Sequence, residues 1–147
     1  ASQASIPAYQ AVEFSGMVTV QLFAPLDDSA FARCSAVCLG TGRFLRAVLV
    51  PALRELGCDI VLAQARGTSF GAYMQKRLDE GAGSTYEVDT VLPDGSVVVS
   101  TYSIAACGTL GLPEGRDAFL KLPSRLPHLR YVGLGITEAG LVHNGPA

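Results

Sequence analysis

The stretch from Ala36 to Gly57, AVCLGTGRFLRAVLVPALRELG, limits the possible folds of this chain more than any other. A short apolar run ends in two glycines one residue apart, and a helical period begins at once. Ser35 to Leu39 (SAVCL) reads as a strand buried on both faces. Gly40 and Gly42 make the turn. From Arg43 to Leu56, the residues Phe44, Leu45, Val48, Leu49, Ala52, Leu53 and Leu56 fall on one helical stripe. Arg43, Arg46, Arg54 and Glu55 lie mostly off it, and Gly57 suits the C-terminal cap. Pro51 falls inside this helix, where it removes a hydrogen bond, so the period predicts a kink or two short turns.

Asp59 to Ala65 (DIVLAQA) reads as a second buried strand. Strand, turn, helix and strand within so few residues form the parallel unit whose handedness is fixed. Such a unit sets the N-terminus of its helix at the carboxyl end of its first strand. Free N–H groups and the helix dipole there favour an anion such as a pyrophosphate. Gly40 permits the tight turn and Gly42 lets a phosphate approach the backbone. Arg43 or Arg46 could add a charge-assisted contact. Leu45 stands where a dinucleotide fingerprint carries its third glycine. That glycine serves helix packing, so Leu45 changes the spacing of the helix without removing the phosphate contact. An ordinary βα turn fits the same pattern, and both readings stand at this point.

Ribose selection usually falls to an acidic residue at the end of the second strand. Here that end carries Gln64-Ala65-Arg66, and Asp59 lies at the opposite end. Gln64 could hydrogen-bond ribose hydroxyls. Arg66 could face a 2′-phosphate or simply project into solvent. NAD and NADP both stand as candidate cofactors.

The rest of the chain supports an α/β domain. Residues 1–16 are small and polar and read as an extended arm. Met17 to Phe23 (MVTVQLF) alternates as a strand, ended by Pro25 and the Asp27-Asp28-Ser29 cluster. Ser69 to Glu80 has helical spacing, with Ser69 a possible cap. Tyr86 to Leu92 and Ser96 to Ser103 alternate around Pro93-Asp94-Gly95, a hairpin signal. Pro113 to Leu122 reads as a short helix and Leu129 to Thr137 as the last strand. The division expected is an arm with an added strand over residues 1–33, then a dinucleotide-binding domain over residues 34–147.

Bulk properties narrow the function. With 147 residues, 49% of them hydrophobic and 16% charged, the chain can bury a real core. No apolar run approaches the roughly 20 residues needed to span a bilayer. The formal charge is -2, which argues against a broad nucleic-acid-binding face. Cys34 and Cys38, four residues apart on a strand, lie ~13 Å apart at ~3.3 Å per residue, too far for a disulfide. No Cys or His cluster suggests a metal site. Buried, reduced thiols fit an intracellular protein, in the cytoplasm or in an organelle after N-terminal processing. His128 and His143 stand alone and receive no catalytic role.

Several of these segments together carry a resemblance. Gly40-Thr41-Gly42-Arg43-Phe44-Leu45-Arg46-Ala47 resembles the GxGxFxRA turn of the long-chain mannitol dehydrogenase family, which includes polyol dehydrogenases and uronate oxidoreductases. Val61 to Gln64 resembles the second strand of the uronate branch. Ser84-Thr85-Tyr86 and the following hairpin resemble the family's GxYT strand pair. Val132 to Gly140 (VGLGITEAG) resembles its VSLTVTEGG strand and turn. These matches run in family order from about residue 36 to residue 141. The resemblance implies a Rossmann-type domain, a mostly parallel sheet flanked by helices with an inserted β-hairpin, that binds NAD or NADP. Taken with the turn and strand-end reading above, the expected cofactor contacts are Gly40, Gly42, Arg43, Phe44, Arg46, Gln64, Arg66 and Thr137. The resemblance also implies an auxiliary role in proton transfer for Glu138, for which a plain turn carboxylate is the alternative. In the family, a second, helical domain carries the catalytic lysine. Lys76 and Lys121 match no such motif, so the expectation is a cofactor-binding half that is not catalytic alone. Its partner would be the helical domain or another chain covering its exposed face. The alternative is an accessory subunit of a larger assembly, with a nucleotide-sensing module as a third idea.

Overall fold

The computed structural model of the chain describes residues 20–135. Its strands are β1 (Leu22–Pro25), β2 (Ala36–Leu39), β3 (Ile60–Gln64), β4 (Thr85–Val91), β5 (Val97–Ser103), β6 (Ala106–Thr109) and β7 (Tyr131–Leu134). Its helices are α1 (Asp28–Arg33), α2 (Val50–Glu55), α3 (Ser69–Asp79), α4 (Pro113–Leu120) and α5 (Leu122–Arg125). A π-helical turn, Leu45–Leu49, runs directly into α2.

Five strands form one sheet in the order β1-β6-β3-β2-β7, and β4 and β5 form a separate hairpin. β6, β3, β2 and β7 run parallel, while β1 joins the edge antiparallel to β6. The glycine-turn unit has the pairing its spacing predicts: Val37 lies opposite Val61 and Leu39 opposite Ala63. After β2 the chain steps through α2 to β3 on one side, and later returns from β6 to β7 on the other side of β2. The strand order therefore reverses between β2 and β7. Ligands of open α/β sheets bind at the carboxyl end of such a reversal.

Period-two alternation sends the strand side chains into two cores. Ala36, Cys38, Ile60, Leu62 and Cys107 face Leu45, Val50, Leu53, Phe70 and Met74 on the α2 and α3 side. Val37, Val61, Ala63 and Ala106 face Ala30, Phe31, Leu122 and Leu126 on the other. Strands β6, β3 and β2 are thus covered on both faces, while β7 is largely exposed. All four cysteines are buried and free. Asp59 fastens the amino end of β3, taking Arg54 Nη1 at 2.7 Å and Arg33 Nε at 3.2 Å.

The π turn has a chemical cause. Pro51 has no N–H to give, and its ring crowds the carbonyl one turn back. Val50 N–H reaches Leu45 O instead. Arg46 O thereby loses its usual donor and would next have to look to Pro51. The hydroxyl of Tyr86 supplies the missing bond at 2.6 Å. The expected kink is realised as this turn.

Several expected boundaries need correction. The strand expected over Met17–Phe23 is observed as Leu22–Pro25, and its first residues lie outside the described segment. The Asp27-Asp28-Ser29 cluster does more than end that strand. Asp27 Oδ1 accepts from Ala30 N at 2.9 Å and caps α1, a helix the pattern did not suggest. β6 was not foreseen, and the helix expected over Pro113–Leu122 divides into α4 and α5. The strand expected over Leu129–Thr137 is observed as Tyr131–Leu134, and residues 136–137 lie outside the described segment.

Candidate functional site

The site is built on the carboxyl ends of β2, β3 and β7. Gly40 leaves β2 with φ +119, a backbone region other residues rarely adopt. Its N–H still donates to Ala63 O at 2.8 Å, so the turn is tied to β3. A Cβ at Gly40 would lie 3.1 Å from Gly135 O, at the end of β7. The two backbones approach closely at the strand-order reversal. Gly42 is exposed, with nothing within 4 Å of its would-be Cβ, so the space over the turn is open to an approaching group.

Leu45 accounts for the missing third glycine. Its side chain is buried between the turn and the end of β7. A Cβ on Gly135 would meet Leu45 Cδ1 at 2.7 Å, and one on Gly133 would meet Leu49 Cδ2 at 2.8 Å. Space that a fingerprint glycine would leave on the helix is here left by Gly135, just past the end of β7.

Next to the turn lies an open depression of about 240 Å³, lined by Thr41, Arg46, Ser69, Phe70 and Tyr73. The guanidinium of Arg46 sits 5.7 Å from the centre of the Phe70 ring, within cation–π range. Its Nε is buried and has no hydrogen-bond partner among the described residues. Gln64 reaches the opposite wall. Its Oε1 accepts Phe70 N–H at 2.9 Å and its Nε2 donates to Ser69 Oγ at 3.0 Å, capping α3. The loop before α3 is held firmly: Thr109 donates to Gly67 O at 2.5 Å and Gln21 Nε2 donates to Thr68 O at 2.7 Å. Arg66 projects from this loop into solvent, as Arg43 does from the glycine turn.

The structure thus brings Gly40, Gly42 and Arg46 to one edge, with Gln64 behind it and Arg43 and Arg66 at its rim. Phe44 is 65% exposed and does not line the depression. Thr137 and Glu138 lie outside the described residues. Thr41, Phe70 and Tyr73 escaped the sequence reasoning as site residues. Ser69 had been seen only as a possible cap. Their position depends on α3 folding back beside the turn, which no local pattern announces.

No group of His, Cys, Asp or Glu able to hold a metal occurs among the described residues. None of their helices is long and apolar enough to cross a membrane. Burial raises the thiols of Cys34 and Cys38 to about 11 and that of Cys107 to about 12, so these are inert core groups. What the fold and the site define is a class: an open, mostly parallel α/β sheet flanked by helices, with a glycine turn at its strand-order reversal. No family model, curated protein or solved structure matches the chain.

Proposed function

We propose that the chain is the NAD(P)-binding part of a polyol or sugar-acid oxidoreductase and is not catalytic alone. The observation that carries this reading is the glycine turn, with positive-φ Gly40 against Gly135 and an open Gly42, at the reversal between β2 and β7. The groups present fit a dinucleotide. The opening turn of a helix leaves N–H groups without intrahelical acceptors, suited to a diphosphate. Arg46 offers a cation beside them, on the wall of the depression. The depression is smaller than the roughly 300–1,000 Å³ of whole ligand pockets, and so suits one end of a long ligand.

The bound nicotinamide would supply the hydride chemistry. The part of this chain would be to hold the diphosphate and orient the ring against a secondary alcohol carbon. The alcohol and its proton acceptor would be held by a helical domain or by another chain. Exposed apolar residues support such a partner: Val91, Leu92, Val97, Val98 and Val99 on the hairpin, and Tyr131, Val132 and Leu134 on β7. Buried thiols favour an intracellular setting, cytoplasmic or organellar. The same apolar surface also suits the second reading, an accessory subunit that kept the fold and lost the ligand.

Titration of the 147-residue chain with NADH and NADPH, followed by nucleotide fluorescence, separates the two. The proposal expects saturable binding to at least one of them and no turnover of mannitol or uronates. Absence of binding at millimolar nucleotide overturns it in favour of the accessory subunit.

A further inference from the structure

Resting on the nucleotide reading above, we infer that the ligand carries a phosphate on its adenosine ribose, so that 2′-phosphorylated dinucleotides are preferred. The first argument is charge. Residues 39–49 and 64–73 span the glycine turn, the β3–α3 loop and the opening turns of both following helices. They contain Arg43, Arg46 and Arg66 and not one Asp or Glu. The acidic anchor of β3, Asp59, sits at the far end of that strand, paired with Arg33 and Arg54. An unphosphorylated ribose is normally held by a carboxylate that accepts from its hydroxyls, and neither of these two segments offers one.

The second argument is hydrogen-bond supply. Gln64 is the polar side chain at the end of β3, and both ends of its amide are engaged in capping α3. It is therefore not a free acceptor for a ribose hydroxyl. Its bond to Ser69 Oγ has a consequence of its own. Ser69 accepts from Gln64 and so keeps its O–H to donate, toward the depression it lines. Arg46 lines the depression as well and brings its cation there. The offered groups are thus donors and cations, the complement of a phosphate rather than of a hydroxyl pair.

The third argument is preorganisation. Arg66 stands three residues before Ser69, on a loop tied down by Thr109 at Gly67 O and by Gln21 at Thr68 O. Thr109 Oγ1 also accepts Gly111 N–H at 2.9 Å, which fixes the hydroxyl that holds the loop. Little of the loop has to be ordered on binding, so the charge of Arg66 is available at small entropic cost.

The test compares NADPH with NADH on the full chain by calorimetry at low salt, with adenosine 2′,5′-bisphosphate, AMP and inorganic phosphate as competitors. The expected result is NADPH binding about tenfold or more tighter than NADH, the advantage shrinking as salt screens it. The bisphosphate should compete better than AMP or phosphate. Arg66→Ala, at an exposed position, should lower NADPH affinity about tenfold and leave NADH unchanged. Arg66→Asp should turn the preference toward NADH. Equal or tighter NADH binding by the natural chain overturns the inference while the nucleotide reading stands. So does an NADPH preference untouched by both variants. Displacement by inorganic phosphate as effective as by the bisphosphate also overturns it, by reducing the site to an anion site. If neither dinucleotide binds, the nucleotide reading itself fails, and this inference with it.

Discussion

Tyr86 is fully buried, and its hydroxyl ends on the carbonyl of Arg46. That single bond joins the inserted hairpin to the helix that opens the candidate site. It answers a defect the sequence itself creates, since Val50 N–H is taken by Leu45 O and Pro51 has no N–H to replace it. Burial also raises the phenol well above its ordinary range, so it stays a donor throughout the physiological range. Tyr86→Phe leaves the Arg46 carbonyl without this partner inside the protein. The expected cost is about 1–3 kcal/mol, seen as a lower urea midpoint at unchanged slope. An unchanged midpoint would show that water or a shifted backbone replaces the hydroxyl. Leu45 makes a related point at the same scale. Its bulk is an anomaly only when the turn is read alone, and Gly135, just beyond β7, leaves the room for it.

At the scale of elements, β2, the glycine turn, the long helix and β3 were legible because each carries its own local signal. An apolar run buried on both faces, two glycines and a helical period need no tertiary knowledge. The apolar stripe itself is corrected: Leu45 and Leu53 are buried together with Val50, while Phe44, Val48 and Leu56 are exposed, because the π turn rotates the face that meets the sheet. The hairpin was legible for the same reason: Asp94 Oδ1 takes Ser96 N–H at 2.9 Å and Gly95 has φ +83. β6 was not. Its sequence, ACGT, has little strand propensity, and its small residues are set by space, since a Cβ on Gly108 would lie 2.6 Å from Phe23 and Gln21. α1 was hidden because an Asp-Asp-Ser cluster signals a turn and a helix cap equally well. Of the site, the glycines and arginines could be read directly. The wall formed by Ser69, Phe70 and Tyr73 could not, because it arises from packing between distant segments.

The central strands also set a pH dependence. Cys34, Cys38 and Cys107 hold folded-state values near 11, 11 and 12 against 9.0 for an unburied thiol, because burial disfavours the thiolate. A raised folded value means the unfolded chain loses these protons first. Their contribution to stability is therefore complete below pH 9 and is lost as pH climbs from about 9 to about 12. Denaturant midpoints measured across that window should fall steadily, and replacement of Cys107 by Ser or Ala should flatten part of the fall. A flat profile from pH 9 upward would mean the thiols are not protected by the fold.

For the whole molecule, two kinds of surface stand apart. One is the carboxyl edge of the sheet, rich in donors and cations and free of carboxylates at the turn. The other is the apolar skin of the hairpin and of β7, with Val91 70% and Val132 66% exposed. Under the proposed function the first would take the dinucleotide and the second a protein partner that carries the substrate. The most direct test of the first is an amide-resolved NMR titration of the 147-residue chain with NADPH and NADH. The account predicts the largest shifts at Thr41 to Arg46 and at Arg66 to Phe70, with the amino ends of the strands unmoved. Binding that instead perturbs the hairpin or the amino ends, or no perturbation at the glycine turn at millimolar nucleotide, would contradict it.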